Sequence, residues 1–488
     1  MNNYKLVPTL LVAALMATGC SFIPALNKPA SPVADQYPIA TAATTQPAAD
    51  LPWQNFYADA RLQQLIGMAL SNNRDLQVAV LNIEKARAAY DIQGSQLYPE
   101  IGAAASAARG KSQLTGQYAN TYSVGLAMAS WEIDFWGRIR SLKDQALATY
   151  LATEEGRKAA QISLISAVAG SWLGLQADEE LLDISRRTLQ TREESIKLAK
   201  LRFDAGAASE LDYRQAQTLT EAARATLAAQ TRQRDLDINA LTLLIGAQVP
   251  PELLASLKGN KLTDLPTLAD VPAGLPSDLL LRRPDIRSAE QQLVAANANI
   301  GAARALFFPN ISLTASAGFA NTEISDLFQS GSKYFSIAPS LYLPIFTAGR
   351  NQANLEVAEV SKKIAAAQYE KSIQTAFREV SDSLVSRRTL AEQLQAQQAQ
   401  VDAVSAQFKL SDLRYRNGVA SYLDLLDAQR TLFTAEQAVV QVRLALLQNQ
   451  VNLYKVLGGG WSPEDDRAAA EKASLADSNR TATGKTIQ

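Results

Sequence analysis

Asp424 and Asp427 stand three residues apart, a spacing that puts both carboxylates on one face of a helix. Paired carboxylates can act as acid and base in glycoside hydrolysis, attract cations, or raise one another's pKa by repulsion. Ser421-x-x-Asp424 also reads as a capping box that starts a helix, and Ser209-x-x-Asp212 repeats it. Local capping therefore accounts for Asp424. Asp427 has no such duty, because its counterpart in the earlier part of the chain is Gln215. Other chemistry is sparse. The 488 residues include no histidine and one cysteine, Cys20. This removes every histidine-based triad, imidazole zinc sites, disulfide frameworks and thiolate clusters. No G-x-x-x-x-G-K-[ST] loop is present to cradle a nucleotide. With 47 Lys+Arg against 48 Asp+Glu, the chain lacks the basic footprint of nucleic-acid binding. The expectation is a protein that is not an enzyme and holds no cofactor or metal.

Cys20 closes a leader. Lys5, the apolar run Leu6–Ala17 and the small residues Thr18 and Gly19 read as a secretory signal over 1–19, too short for a transmembrane helix. The cysteine placement resembles a bacterial lipobox, which implies diacylglycerol and an N-palmitoyl chain on Cys20. Ser21 follows in place of the aspartate that often holds lipoproteins at the inner membrane, so the implied destination is the outer membrane. Residues 20–52 carry six prolines among Ala, Thr and Gln and read as an extended, lipid-anchored tether.

The elements around the aspartates argue against a catalytic cleft. No proline occurs between Pro99 and Pro250 or between Pro344 and Pro463, and the 67 residues Asn351–Asn417 contain neither proline nor glycine. That run predicts one helix on propensity, roughly 100 Å long at 1.5 Å per residue. Ile373, Phe377, Val380, Leu384, Leu394, Val401, Val404 and Phe408 form a narrow apolar stripe along it, as in helices packed side by side.

A second period interrupts the helices. Ile311, Leu313, Ala315, Ala317 and Phe319 alternate with polar and small residues. So do Tyr122, Val124, Leu126 and Met128, and Phe335, Ile337, Leu341, Leu343 and Ile345, with Ile101, Ala103 and Ala105 as a weaker member. Strands of about ten residues cross an outer membrane when tilted, although a soluble sheet with one wet face alternates in the same way. Trp131, Phe135 and Trp136 fit either an interfacial aromatic belt or core packing.

The chain is written twice. Tyr98-Pro99 matches Phe308-Pro309 at an offset of 210, and Gly137-Arg138, Leu201-Arg202, Gly206, Ser209 and Leu211-Asp212 recur 212 residues later. Each half predicts a helix, two strands, a long helix and a return helix: 61–97, 99–109, 121–136, 138–204 and 209–245, then 278–307, 309–319, 334–346, 350–416 and 421–457. The divisions are a first repeat over 53–246, a connector over 247–277, a second repeat over 278–458 and a tail over 459–488. Four strands cannot close a membrane barrel, which needs about eight, and an open edge is not tolerated in lipid. If the strands span a membrane, the chain must oligomerise.

Three segments, Leu281–Leu313, Pro344–Arg350 (PIFTAGR) and Tyr415–Gln429 (YRNGVASYLDLLDAQ), resemble the lipoprotein branch of the TolC-like outer-membrane factors, the exit ducts of tripartite efflux systems. The resemblance implies an α+β membrane protein. It implies a homotrimer whose 12-stranded β-barrel, four strands per chain, would sit in the outer membrane and continue as an α-helical barrel in the periplasm. Residues 247–277 and the tail would form an equatorial belt. The implied partners are outer-membrane lipid, a periplasmic adaptor (membrane fusion) protein and an inner-membrane RND-type pump. Antibiotics, dyes, detergents and solvents are the expected cargo, passed through passively.

The family's gate lies where the second long helix turns into its return helix. Carried over position by position, Leu423 and Asp427 match constriction residues. Asp424 and Asp427 match an acidic ring, six carboxylates around a threefold axis. Arg414 and Tyr415 match residues that tie neighbouring helices when shut, while Ala420 stands where some relatives have a further tying arginine. The rival reading is a coiled-coil surface lipoprotein without a pore.

Overall fold

The computed structural model describes residues 21–38, 51–111, 116–271, 274 and 276–461. The leader, Cys20 with its expected lipid, part of the tether and most of the tail lie outside the described residues. The described elements run α1 (Trp53–Phe56), α2 (Ala60–Asn72), α3 (Arg74–Ser95), β1 (Ile101–Lys111), β2 (Tyr118–Glu132), α4 (Arg138–Asp204) and α5 (Glu210–Ile245). They continue with α6 (Pro251–Ala255), α7 (Pro276–Arg282), α8 (Pro284–Ala305), β3 (Asn310–Asn321), β4 (Lys333–Tyr342), α9 (Arg350–Arg416) and α10 (Tyr422–Val456).

The duplication is visible in local geometry. Both long helices, α4 and α9, have 67 residues. Each ends at a left-handed glycine, Gly206 (φ 73°) or Gly418 (φ 75°), a conformation that costs other residues free energy. Each return helix then starts in the same way. The Ser209 and Ser421 hydroxyls accept from the Asp212 and Asp424 amides at 3.2 Å, and the two carboxylates accept from the serine amides at 3.2 Å. Such a cap stabilises a helix by about 1 kcal/mol.

Four predicted elements differ, the first being the strand expected over 121–136, which runs Tyr118–Glu132 and leaves Phe135 and Trp136 beyond it. The helix expected over 61–97 breaks at Asn73, whose backbone is extended (φ −63°, ψ 128°). Its side chain accepts from the Leu76 amide at 2.8 Å, capping α3, and donates to the Leu244 carbonyl at 2.9 Å. The helix expected over 278–307 breaks at Arg283, where the following Pro284 disfavours helical backbone. β4 ends at Tyr342, so Leu343 and Ile345 fall beyond it, with Pro344 between them.

The described chain forms two compact units. One comprises 21–31, 81–155 and 286–372 and holds an antiparallel sheet in the order β1-β2-β3-β4. Register sorts its two faces. Ile101, Ala103 and Ala105 lie opposite Met128, Leu126 and Val124. These in turn face Ala315, Ala317 and Phe319, which lie opposite Ile337, Phe335 and Lys333 on the last strand, while Leu341 pairs with Ile311. One face is therefore apolar along most of all four strands, with Arg109, Asn120, Asn321 and Lys333 at the end nearest the β1–β2 turn. The other carries Ser106, Ser123, Gly125, Gly318, Ser316 and Ser336 in register. A Cβ on Gly125 would lie 2.3 Å from the Ala317 carbonyl oxygen, so only glycine fits that close strand approach. No residue of the four strands is buried. A bulge between Met128 and Trp131 flips the alternation and sets Trp131 opposite Leu313 on the apolar face.

Trp136 does a different job from Trp131. Its indole donates to the Pro309 carbonyl at 2.8 Å and its ring stacks on Phe308 at 4.8 Å, while Phe22 stacks on Phe308 at 4.6 Å and on Trp136 at 6.3 Å. The segment after Cys20 is thereby docked. Asn297 donates to the Pro24 carbonyl at 2.8 Å, Lys28 pairs with Glu290, and Ile23 sits where a Cβ on Gly301 would be.

The other unit comprises, of the described residues, those within 32–80, 156–285 and 373–461. Its core is apolar and aromatic: Phe56 stacks on Tyr454 at 4.0 Å, and Leu65, Ile66, Ile165, Trp172 and Ile245 are fully buried. The turn carrying Asp424 and Asp427 belongs to this unit.

Candidate functional site

The end of α9 fixes the turn. The Val419 amide donates to the Arg414 carbonyl at 2.9 Å and the Gly418 amide to the Tyr415 carbonyl at 3.0 Å, the paired bonds that close a helix through a left-handed glycine. With Ser421 capping α10, the geometry decides which way each side chain faces.

Tyr415 faces inward. It packs with Ala199, Ala216, Tyr422, Leu425 and Leu426 in one buried cluster. Its ring centre lies 5.3 Å from that of Tyr422 and 4.6 Å from the Arg202 guanidinium carbon. Burial, with Tyr415 next to it, pushes the Tyr422 phenol well above its ordinary pKa, so the cluster holds a neutral hydroxyl.

Arg414, Leu423, Asp424 and Asp427 face the other way. They line one open groove of about 850 Å³ together with Gln407 and Leu410. Leu423 is 61% exposed. Asp424 is engaged by the cap, while the exposed Arg414 and Asp427 side chains meet no hydrogen-bonding or ionic partner among the described residues. Asp427 also borders a smaller cleft with Gln215, Thr218 and Arg430. The structure thus brings together four of the five expected residues and sets Tyr415 apart from them.

Two residues outside the expected set complete this region. Arg202 is the repeat counterpart of Arg414, so the duplication carried a signal for it. Tyr422 opens α10 and carries no local signal, and its packing with Tyr415, Ala199 and Ala216 places it in the buried cluster. Among the described residues, no group of three or more His, Cys, Asp or Glu is placed to hold a metal, and no helix is long and apolar enough to cross a membrane. The arrangement can present charge and a leucine side chain to a passage.

The model of the outer membrane efflux protein family matches residues 65–247 and again 275–459. The chain belongs to that family. Its two matches coincide with the two copies of the repeat. It is 45% identical over 479 residues to a probable efflux pump outer membrane protein, TtgC, of Pseudomonas putida, covering 95% of this chain and 97% of that one. It is 43% identical over 462 residues to outer membrane protein OprJ of Pseudomonas aeruginosa, covering 92% and 95%. Among solved structures, the open-state MtrE outer membrane channel of Neisseria gonorrhoeae superposes with a TM-score of 0.83 at 40% identity, covering 90% of this chain and 98% of that one. The CmeC outer membrane channel of Campylobacter jejuni gives 0.82 at 27% identity, covering 93% and 98%. This protein is an outer-membrane efflux channel, and the poreless surface lipoprotein gives way to that reading.

Proposed function

We propose that three copies of this chain assemble into one passive exit duct, with the four-stranded sheet of each forming a third of a 12-stranded barrel. One observation carries this reading. The sheet is apolar over most of one face, with polar and charged residues only at its β1–β2 turn end, mainly small and polar over the other, buried on neither, and open at β1 and β4. Lipid on the apolar face, water on the serine and glycine face and strand pairing at both edges would satisfy all of it at once.

The groove around Asp427 supplies the gate in this proposal. Three copies would bring six carboxylates and three leucines to one constriction, where repulsion among the carboxylates favours bound cations. A periplasmic adaptor would shift the population from shut to open, and an inner-membrane RND-type pump would provide the energy. Cys20, acylated, would anchor the chain in the outer membrane, and the docked Phe22 would hold that anchor against the strand-to-helix junction. Drugs, solvents and other toxic small molecules are the proposed cargo. Purified protein in a planar bilayer tests the reading: discrete conductance steps are expected. A compact monomer that stays in solution without detergent and gives no conductance would overturn it.

A further inference from the structure

Arg192 lines a cavity of about 240 Å³ that shares no residue with the Asp427 groove. It is only 5% exposed, and among the described residues no carboxylate pairs with it. Its Nη1 donates to the Leu219 carbonyl at 2.9 Å, its guanidinium carbon lies 5.5 Å from the centre of the Phe433 ring, and its Nε has no partner. Burial holds its pKa below the ordinary arginine value, yet an arginine stays protonated in proteins. A buried cation without an anion is costly.

Gln429, on the same cavity, is 7% exposed. Its Nε2 donates to the Ser195 hydroxyl at 3.3 Å, which leaves Oε1 without a donor. Two phenyl rings, Phe408 and Phe433, supply the apolar lining. The other two charged groups on the cavity are Arg187 and Glu436. Arg187 pairs with Asp183 at 3.1 Å, and burial raises the Glu436 pKa despite Arg187 and Lys261 nearby. The cavity therefore combines an unmatched cation, an unmatched acceptor and an aromatic slot.

We propose that this cavity binds a small hydroxylated aromatic acid. Its carboxylate meets Arg192, its ring lies against Phe408 and Phe433, and its hydroxyl donates to Gln429 Oε1. A guanidinium recognises a carboxylate through paired, charge-assisted bonds. Benzene occupies an apolar cavity of about 150 Å³, so the larger volume accommodates a ring with two substituents.

Equilibrium dialysis of the full chain in detergent against radiolabelled 4-hydroxybenzoate is the test. One saturable site per chain is expected. Benzoate, lacking the hydroxyl, should bind several-fold more weakly, and Arg192→Gln should weaken binding roughly tenfold to a hundredfold. Glu436→Gln should tighten it several-fold by removing a nearby negative charge, a gain that a misfolded variant cannot imitate. A lack of saturation, as expected if the cavity holds only water, would overturn the proposal. So would unchanged affinity in both variants, or equal binding of benzoate and 4-hydroxybenzoate.

Discussion

The Arg202 guanidinium lies 4.6 Å from the centre of the Tyr415 ring, tying the last turn of one long helix to the last turn of the other. Arg414 and Phe203 are the repeat counterparts of Arg202 and Tyr415. Among the described residues Arg414 finds no partner, and Phe203 is 37% exposed. In a ring of three copies whose halves alternate, Arg414 of one copy would take up the Phe203 ring of the next, as Arg202 takes up Tyr415. The double variant Arg414→Cys with Phe203→Cys should therefore form interchain dimers and trimers on non-reducing gels. Either single variant should not. An intact double variant that never cross-links would refute the contact.

Asn73 and Arg283 break equivalent helices and donate to equivalent carbonyls, Leu244 and Val456, both at 2.9 Å. They differ in charge. Arg283 also pairs with Asp285 at 2.6 Å and Glu379 at 2.9 Å, with a side chain only 10% exposed. Truncating it strands a carbonyl and a partly buried carboxylate, whereas truncating Asn73 strands a carbonyl and a helix start. Arg283→Ala should cost about 3 kcal/mol and Asn73→Ala about 1–2 kcal/mol. Thermal unfolding of the detergent-solubilised protein compares them, and equal losses would contradict the added worth of the ion pairs.

These two breaks also mark what a sequence reveals. Pro284 announces the second break, because the residue before a proline avoids helical backbone. Nothing local announces the first, and only transfer across the repeat finds Asn73. Strand alternation was legible because the side-chain period of a strand is fixed by its backbone. The bulge before Trp131 was not, since it shows only in pairing with β3. At the turn, the capping boxes follow from spacing alone. The inward direction of Tyr415 depends on Ala199, Ala216 and Arg202, residues about 200 positions away that no local pattern connects to it.

Asp178 on α4 gives a pH prediction. It is 7% exposed, its Oδ2 has no donor among the described residues, and its carboxyl meets that of Asp237 on α5. Burial first, then the Asp237 carboxyl, pushes its pKa up to about 8, with Glu179 adding to the rise and Arg234 opposing it. The folded state therefore holds a proton that the unfolded state releases near pH 4. The resulting stability is complete at low pH and fades as pH rises to about 8. Unfolding temperature should fall between pH 5 and pH 9, and Asp178→Asn should flatten that fall. A variant with the wild-type pH profile would show that the pair does not share a proton.

Asp424 and Asp427 can be separated experimentally because only one of them holds the fold. The Asp424 carboxylate accepts from the Ser421 amide at 3.2 Å, so Asp424→Ala should cost about 0.5–1 kcal/mol of stability. The Asp427 carboxylate has no partner among the described residues, so Asp427→Asn should leave stability unchanged. If the acidic groove closes the duct, Asp427→Asn should nevertheless raise bilayer conductance. Combining it with Asp424→Asn, whose amide oxygen can still accept from the Ser421 amide, should raise conductance further. A capping role alone predicts the opposite ranking, with every effect following Asp424 and none following Asp427. Wild-type closure in the doubly neutralised variant would remove the carboxylates from the gate and leave Leu423 as the residue to test.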